Sequence, residues 1–211
     1  MVKIIAIDGP ASVGKSSLAK MLAKKYKSPI LYSGKLYRAV ALEIINRKIS
    51  YNNTKEILKC VDYIDMSKLN LKGLYSSDVD NLSSMISAKK QLRDRLTKFQ
   101  RDFPKNYGRN SNFAIVEGRD IGTVIFPDAD YKIFLWADPE IRARRRYEQI
   151  IKSGKIASFK RIFSEINARD RKDLTRKIAP LMPAANSVLL DTSYIDIEQA
   201  FNALKKIIFK N

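Results

Sequence analysis

The feature that most narrows the fold is a short string near the start of the chain, Gly9-Pro10-Ala11-Ser12-Val13-Gly14-Lys15-Ser16. It fits the spacing Gly-x-x-x-x-Gly-Lys-Ser without a gap, and its context gives it weight. Before it, residues 3–7 read Lys-Ile-Ile-Ala-Ile, an apolar run closed by Asp8-Gly9-Pro10. That is how a strand buried on both faces of a parallel sheet reads. After it, residues 15–26 switch to helical spacing, with Leu18, Leu22 and Tyr26 four apart. Glycines in such a loop allow consecutive N–H groups to aim at an anion. The helix that follows adds the positive end of its dipole. The expected ligand is a nucleoside triphosphate, held by Gly9, Pro10, Ala11, Ser12, Val13, Gly14, Lys15, Ser16 and Ser17. Lys15 would reach the β- and γ-phosphates and Ser16 would ligate Mg²⁺.

Further apolar runs end at polar residues in the same way: Phe113 to Val116 at Glu117-Gly118, Tyr131 to Ala137 at Asp138-Pro139, Val188 to Leu190 at Asp191. Helical periods lie between them, as at Leu92, Leu96, Phe99 and Phe103, and a last helix is expected over 197–208 with Asp196 as its cap and Gln199 three residues on. Strands alternating with helices predict an α/β fold, a parallel sheet with helices on both faces. Residues 50–80 fit less well, being polar and weakly periodic. They read as an insertion outside the sheet, with a hairpin turning at Lys72-Gly73 between Ile64 and Tyr75.

Composition excludes several chemistries. The chain has 211 residues, enough for one domain carrying an inserted subdomain, with one cysteine and no histidine. Without histidine there is no His general base, no Ser-His or Cys-His nucleophile pair and no His-ligated zinc. Cys60 alone forms no internal disulfide. No apolar run approaches the ~20 residues of a membrane span, and the start of the chain is too short in apolar residues for a signal peptide, so a cytoplasmic protein with no membrane partner is expected. The net charge of +18, from 40 basic and 22 acidic residues, points either to an anionic ligand or to a solvated face, and 25 of the bases are lysines. No basic stripe interleaved with aromatics speaks for nucleic acid.

Three further groups carry candidate chemistry. Glu117-Gly118-Arg119-Asp120 sits at the end of a buried run, where ligands bind in an open parallel sheet. An arginine beside an aspartate there suits a second, phosphorylated molecule. Arg169, Asp173 and Arg176 fall within roughly 60° of one another on a helix at ~100° per residue, as a ligand-binding set or as an exposed ion-pair face. Arg142, Arg144, Arg145 and Arg146 follow the third run. Arg144 and Arg146 lie ~200° apart on a helix, so only one or two of the four are expected to serve a site.

Together these strings resemble bacterial cytidylate kinases. Carrying the resemblance are Ile7-Asp8-Gly9-Pro10 with its loop, Ser33-Gly34-Lys35-Leu36-Tyr37-Arg38, the block Gly118 to Asp128, and Ile178 to Ala184. The resemblance runs from about residue 3 to 207. It implies a single P-loop kinase domain over 1–211, with a nucleoside-monophosphate-binding insertion at about 34–110, shortened at 64–75, and a lid at about 142–161 containing Arg142, Arg145 and Arg146. It implies transfer of the ATP γ-phosphate to CMP or dCMP with Mg²⁺, by a monomer whose partners are those small molecules. It places the acceptor at Ser33, Arg38, Ser84, Arg93, Arg119, Asp120, Arg169, Asp173 and Arg176, and the chemistry at Lys15, Arg119 and Asp120. Glu117 and Tyr32 stand where the family usually has Asp, and Tyr75 replaces a basic residue. The alternatives are another P-loop metabolite kinase, acting on UMP, dTMP or shikimate, or a nucleic-acid-stimulated NTPase.

Overall fold

Strand β1 (Lys3–Asp8) is buried along its last four residues and lies at the centre of the sheet. The computed structural model describes residues 2–71 and 73–209. The strands are β1, β2 (Ile30–Tyr32), β3 (Phe113–Glu117), β4 (Tyr131–Trp136) and β5 (Val188–Asp191), in the order β2-β3-β1-β4-β5. β1 pairs in parallel with β3, Ile5 opposite Ile115, and with β4, Ile7 opposite Ile133. β4 pairs in parallel with β5. The expected parallel α/β sheet is therefore present. β2 was not foreseen, because three residues are too few to show a periodicity.

The chain divides into two compact units, Met1–Ile30 with Pro104–Asn211, and Leu31–Phe103. In the first, α1 (Lys15–Tyr26) and α8 (Ile197–Ile208) cover the sheet. Leu18 and Leu22 from α1, and Ala200, Phe201, Leu204 and Ile208 from α8, pack on Ile5, Ile7, Ile115, Ile133 and Leu135. At ~1.5–3 kcal/mol for each large side chain taken from water, this apolar layer holds the strands under the site. α8 begins with a full capping box: Asp196 accepts from Gln199 N at 2.8 Å and the Gln199 side chain accepts from Asp196 N at 3.0 Å. α6 (Pro139–Lys152) and α7 (Phe159–Thr175) pack as a hairpin on a satellite core of Ala143, Ile162 and Ile166.

The second unit is helical, with α2 (Ser33–Asn46), α3 (Thr54–Cys60), α4 (Ser77–Ile86) and most of α5 (Lys90–Tyr107). α2 packs on α3 and α4, and Leu92, Leu96 and Phe103 of α5 are buried as their spacing predicts. The hairpin expected between Ile64 and Tyr75 is not formed by the described residues, and Lys72 lies outside them. Instead, Val61–Tyr63 and Ser67–Asn70 are 3₁₀ turns. Asp65 is the physical cause: its carboxylate accepts from the N–H groups of Ser67 (2.8 Å) and Lys68 (3.1 Å) and from the Ser67 hydroxyl (2.5 Å). A side chain that captures the next N–H groups favours a helical turn over a strand.

Candidate active site

β1, β3 and β4 all run the same way, so their carboxyl ends meet at one edge, and in the first unit that edge carries the phosphate loop. Gly9 holds φ at +146° while a side chain there would put its Cβ 2.3 Å from the Leu135 carbonyl oxygen of β4. Only glycine fits where β1 turns into the loop. Gly14, at φ +99°, is the N-cap of α1. No side chain caps that N-terminus and no acidic residue lies in its first turn, so its N–H groups stay available for an anion. All nine residues of the expected triphosphate set lie in this loop and the first turn of α1.

Lys15 is buried, and its Nζ donates to the carbonyls of Gly9 (2.8 Å) and Pro10 (2.6 Å). Burial, aided by the nearby charge of Arg119, lowers its pKa to about 7, against the pull of Glu117 and Asp8. The Ser16 hydroxyl donates to Glu117 at 3.0 Å. Glu117 ends β3, so the sheet register brings the hydroxyl and the carboxylate together. Asp8, which sequence reasoning missed as a functional residue, ends β1 and accepts from the N–H groups of Ile121 (2.9 Å) and Gly122 (2.7 Å). It thereby anchors the single π-helical turn Ile121–Ile125 that follows Asp120. Burial raises its pKa to about 7 although both N–H groups oppose the shift.

The helix α7 supplies the other half of this constellation. Asp173 accepts from Arg119 Nε at 2.9 Å. Arg176 lies 3.6 Å from Asp120 and 3.7 Å from Asp173, and its Nε donates to the Ala179 carbonyl at 2.5 Å. Burial opposes charge on Arg119, yet the carboxylates of Asp173 and Glu117 hold its pKa above the ordinary value. Arg169 is close enough to Lys15 to weaken its protonation. The first unit thus brings together five residues of the expected acceptor set, Arg119, Asp120, Arg169, Asp173 and Arg176, in an alternating array of cations and carboxylates.

Ser33, Arg38, Ser84 and Arg93 belong to the second unit. Buried Ser33 accepts from Gln100 Nε2, and the Gln100 Oε1 atom, buried, has no hydrogen-bond partner. Arg38 donates to the Leu74 carbonyl (3.0 Å), pairs with Asp80, and lies 5.1 Å from the ring centre of Tyr75. Tyr75, which stands in place of a basic residue, thus gives Arg38 an aromatic face. Arg93 is buried, donating to the Ser87 carbonyl (3.0 Å) 5.7 Å from the Tyr37 ring. Ser84 is half-buried on α4.

The arginine run separates by depth. Arg142 is fully buried and bonded to the carbonyls of Ala137 (2.8 Å) and Ala11 (3.0 Å). Arg145 holds the Thr192 carbonyl and hydroxyl after β5. Arg144 and Arg146 are exposed and pair within α6, with Glu140 and Gln149.

A metal here has two protein oxygens to use, the Ser16 hydroxyl and the Glu117 carboxylate. Among the described residues no cluster of three or more His, Cys, Asp or Glu could hold one alone. A pair of hard oxygens with positions left for phosphate and water is the donor set Mg²⁺ favours.

The family model described as Cytidylate kinase matches residues 5–210. The chain belongs to the cytidylate kinase family. Curated cytidylate kinases similar to it come from Bartonella tribocorum (38% identical over 94% of this chain and 90% of that protein), Sinorhizobium medicae (37%, 97% and 95%) and Caldicellulosiruptor saccharolyticus (34%, 98% and 95%). Solved structures with the same fold include an uncharacterized protein from Eubacterium ventriosum (TM-score 0.60, 16% identical, all of both chains) and TT1252 from Thermus thermophilus (TM-score 0.54, 18%, covering 99% of this chain and 97% of that one). In this cytidylate kinase family member the phosphate loop shares its unit with the Arg119–Asp173 pair, and Glu117 lies beside Ser16. No helix among the described residues is long and apolar enough to cross a membrane.

Proposed function

We propose that this protein transfers the γ-phosphate of ATP to CMP or dCMP, giving CDP or dCDP and ADP, and that Mg²⁺ accompanies the ATP. The observation that carries this reading is the joining of two sites in one unit. A phosphate loop with a buried lysine lies beside an array in which Arg119, Asp173, Arg176 and Asp120 bind one another across two elements. A triphosphatase needs the loop alone; a second phosphorylated substrate needs the array.

In this reading the loop amides and Lys15 hold the β- and γ-phosphates. Ser16 and Glu117 hold Mg²⁺, which when bound neutralises charge on the phosphates. Arg119, Arg169 and Arg176 hold the CMP phosphate and stabilise the charge that spreads over the transferring group. Asp120 and Asp173 orient those arginines by ion pairing, and a carboxylate oxygen of Asp173 can accept from a ribose hydroxyl as well. Ser33, Arg38, Ser84 and Arg93 address the rest of the acceptor. No group on the protein becomes covalently modified, so the absence of histidine costs the mechanism nothing. The segment at about 142–161, from α6 into the start of α7, would serve as the lid that excludes water. The enzyme acts as a cytoplasmic monomer on small molecules, with no nucleic-acid partner.

A panel of acceptors with Mg²⁺ and ATP tests this. CMP or dCMP should give the highest kcat/KM, above UMP, dTMP and shikimate. Acceptor-independent ATP hydrolysis stimulated by RNA would overturn the reading.

A further inference from the structure

The Ala11 peptide of the phosphate loop is gripped on both sides by one buried ion pair. Its carbonyl accepts from Arg142 Nη1 of α6 at 3.0 Å, and its N–H donates to Asp170 Oδ1 of α7 at 3.3 Å. The two side chains meet at 2.6 Å, between Arg142 Nη1 and Asp170 Oδ2, and Arg142 also holds the Ala137 carbonyl at the end of β4. Arg142 is wholly buried and Asp170 nearly so. One nitrogen of Arg142, Nη2, is buried without a hydrogen-bond partner. A buried pair with an unmatched donor is a poor stability device: apolar residues of similar volume commonly serve as well or better. Its placement gives it another use.

Asp170 stands next to Arg169 and three residues before Asp173 on α7, which is a single helix of 17 residues. Asp173 holds Arg119, and Arg119 follows β3. The same helix therefore grips the donor loop through Asp170 and carries the acceptor array through Arg169 and Asp173, with Arg176 just past its C-terminus. Any shift of the Ala11 peptide when phosphates enter the loop passes to α7 through bonds already made. Resting on the reading of two nucleotide sites, we propose that the Arg142–Asp170 pair is a positioning element that couples them, so that ATP and CMP each tighten the binding of the other. Coupling of this kind is reciprocal and commonly amounts to ~5–150-fold.

Calorimetry tests it. The Kd of CMP is measured with and without a saturating imido analogue of ATP and Mg²⁺. The unaltered protein should bind CMP on the order of tenfold more tightly with the analogue present. The double variant Arg142→Met with Asp170→Leu removes both charges and leaves none stranded. It should bind each nucleotide alone, with the coupling reduced to about onefold. Arg142→Lys keeps the charge but cannot span the Ala11 and Ala137 carbonyls; it should give an intermediate coupling and serves if the double variant does not fold. Equal CMP affinity with and without the analogue in the unaltered protein overturns the proposal. So does an undiminished coupling in the folded variants. If CMP is not the acceptor, the function reading falls alone, and the same cycle is run with the monophosphate that the acceptor panel selects.

Discussion

Lys15 shows how one residue can serve function against stability. It is buried with a pKa near 7, far below the ordinary lysine value of 10.5, chiefly because burial penalises the ammonium. The unfolded chain then binds more protons than the folded one between about pH 7 and 10.5, so stability from Lys15 rises with pH across that window. Asp8 has the opposite slope. Its pKa is raised from 3.8 to about 7, the folded chain holds the extra proton, and its contribution falls as pH rises from 3.8 to 7. Together they set a stability minimum near neutrality. Denaturant titrations across pH should lose the upper slope in Lys15→Met and the lower slope in Asp8→Asn. A polyphosphate beside Lys15 restores its proton. ATP binding above pH 7 should therefore take up protons, seen in calorimetry as a dependence on buffer ionisation heat, and weaken by up to ~10-fold per pH unit. Proton uptake that persists in Lys15→Met would refute this assignment.

At the scale of elements, β1, the loop and α1 act as one piece because Gly9 lets β1 press against β4. Gly9→Ala would drive a Cβ to 2.3 Å from the Leu135 carbonyl, backbone that cannot yield cheaply. The expected loss is on the order of 2–4 kcal/mol in denaturant unfolding, with transfer abolished. Gly14 has φ +99° but open space around its Cβ position, so Gly14→Ala should cost only about 1–2 kcal/mol. Equal losses would show that strain and not collision governs the loop. These elements were legible because each has a period, a boundary and a cap in its own residues: the apolar run of β1, the four-spaced leucines of α1, Asp196 and Gln199 of α8. β2 was illegible for want of length, and the expected hairpin failed because Asp65 satisfies neighbouring N–H groups that a strand would have spent on a partner. Among site residues, the loop and the Arg169/Asp173/Arg176 set could be read from spacing. Asp8, Asp170 and Gln100 could not, since their partners lie 113, 159 and 67 residues away in the chain. Their one visible signal was a polar residue at a position otherwise apolar.

At the scale of the molecule, the charge of +18 finds a partial place. Many lysines sit in the last turns of helices: Lys24 and Lys25 in α1, Lys205 and Lys206 in α8, Lys105 in α5, Lys152 in α6, Lys172 in α7. There the helix dipole is negative, and each cation stabilises by roughly 0.3–1 kcal/mol. These charges belong to the helices more than to the substrates. Lys24 is nine residues beyond Lys15, roughly 14 Å along α1 at ~1.5 Å per residue, which exceeds the ~8 Å screening length at physiological salt. The pair Lys24→Gln with Lys205→Gln should therefore lower stability by a few tenths of a kcal/mol per site. At physiological salt kcat/KM for ATP and for CMP should change less than about twofold. At ~0.01 M salt, where screening extends over ~30 Å, the same variant should lose more, because the field of the whole molecule then reaches an approaching polyanion. A tenfold loss at physiological salt would place these lysines at a substrate and overturn their assignment to helix ends.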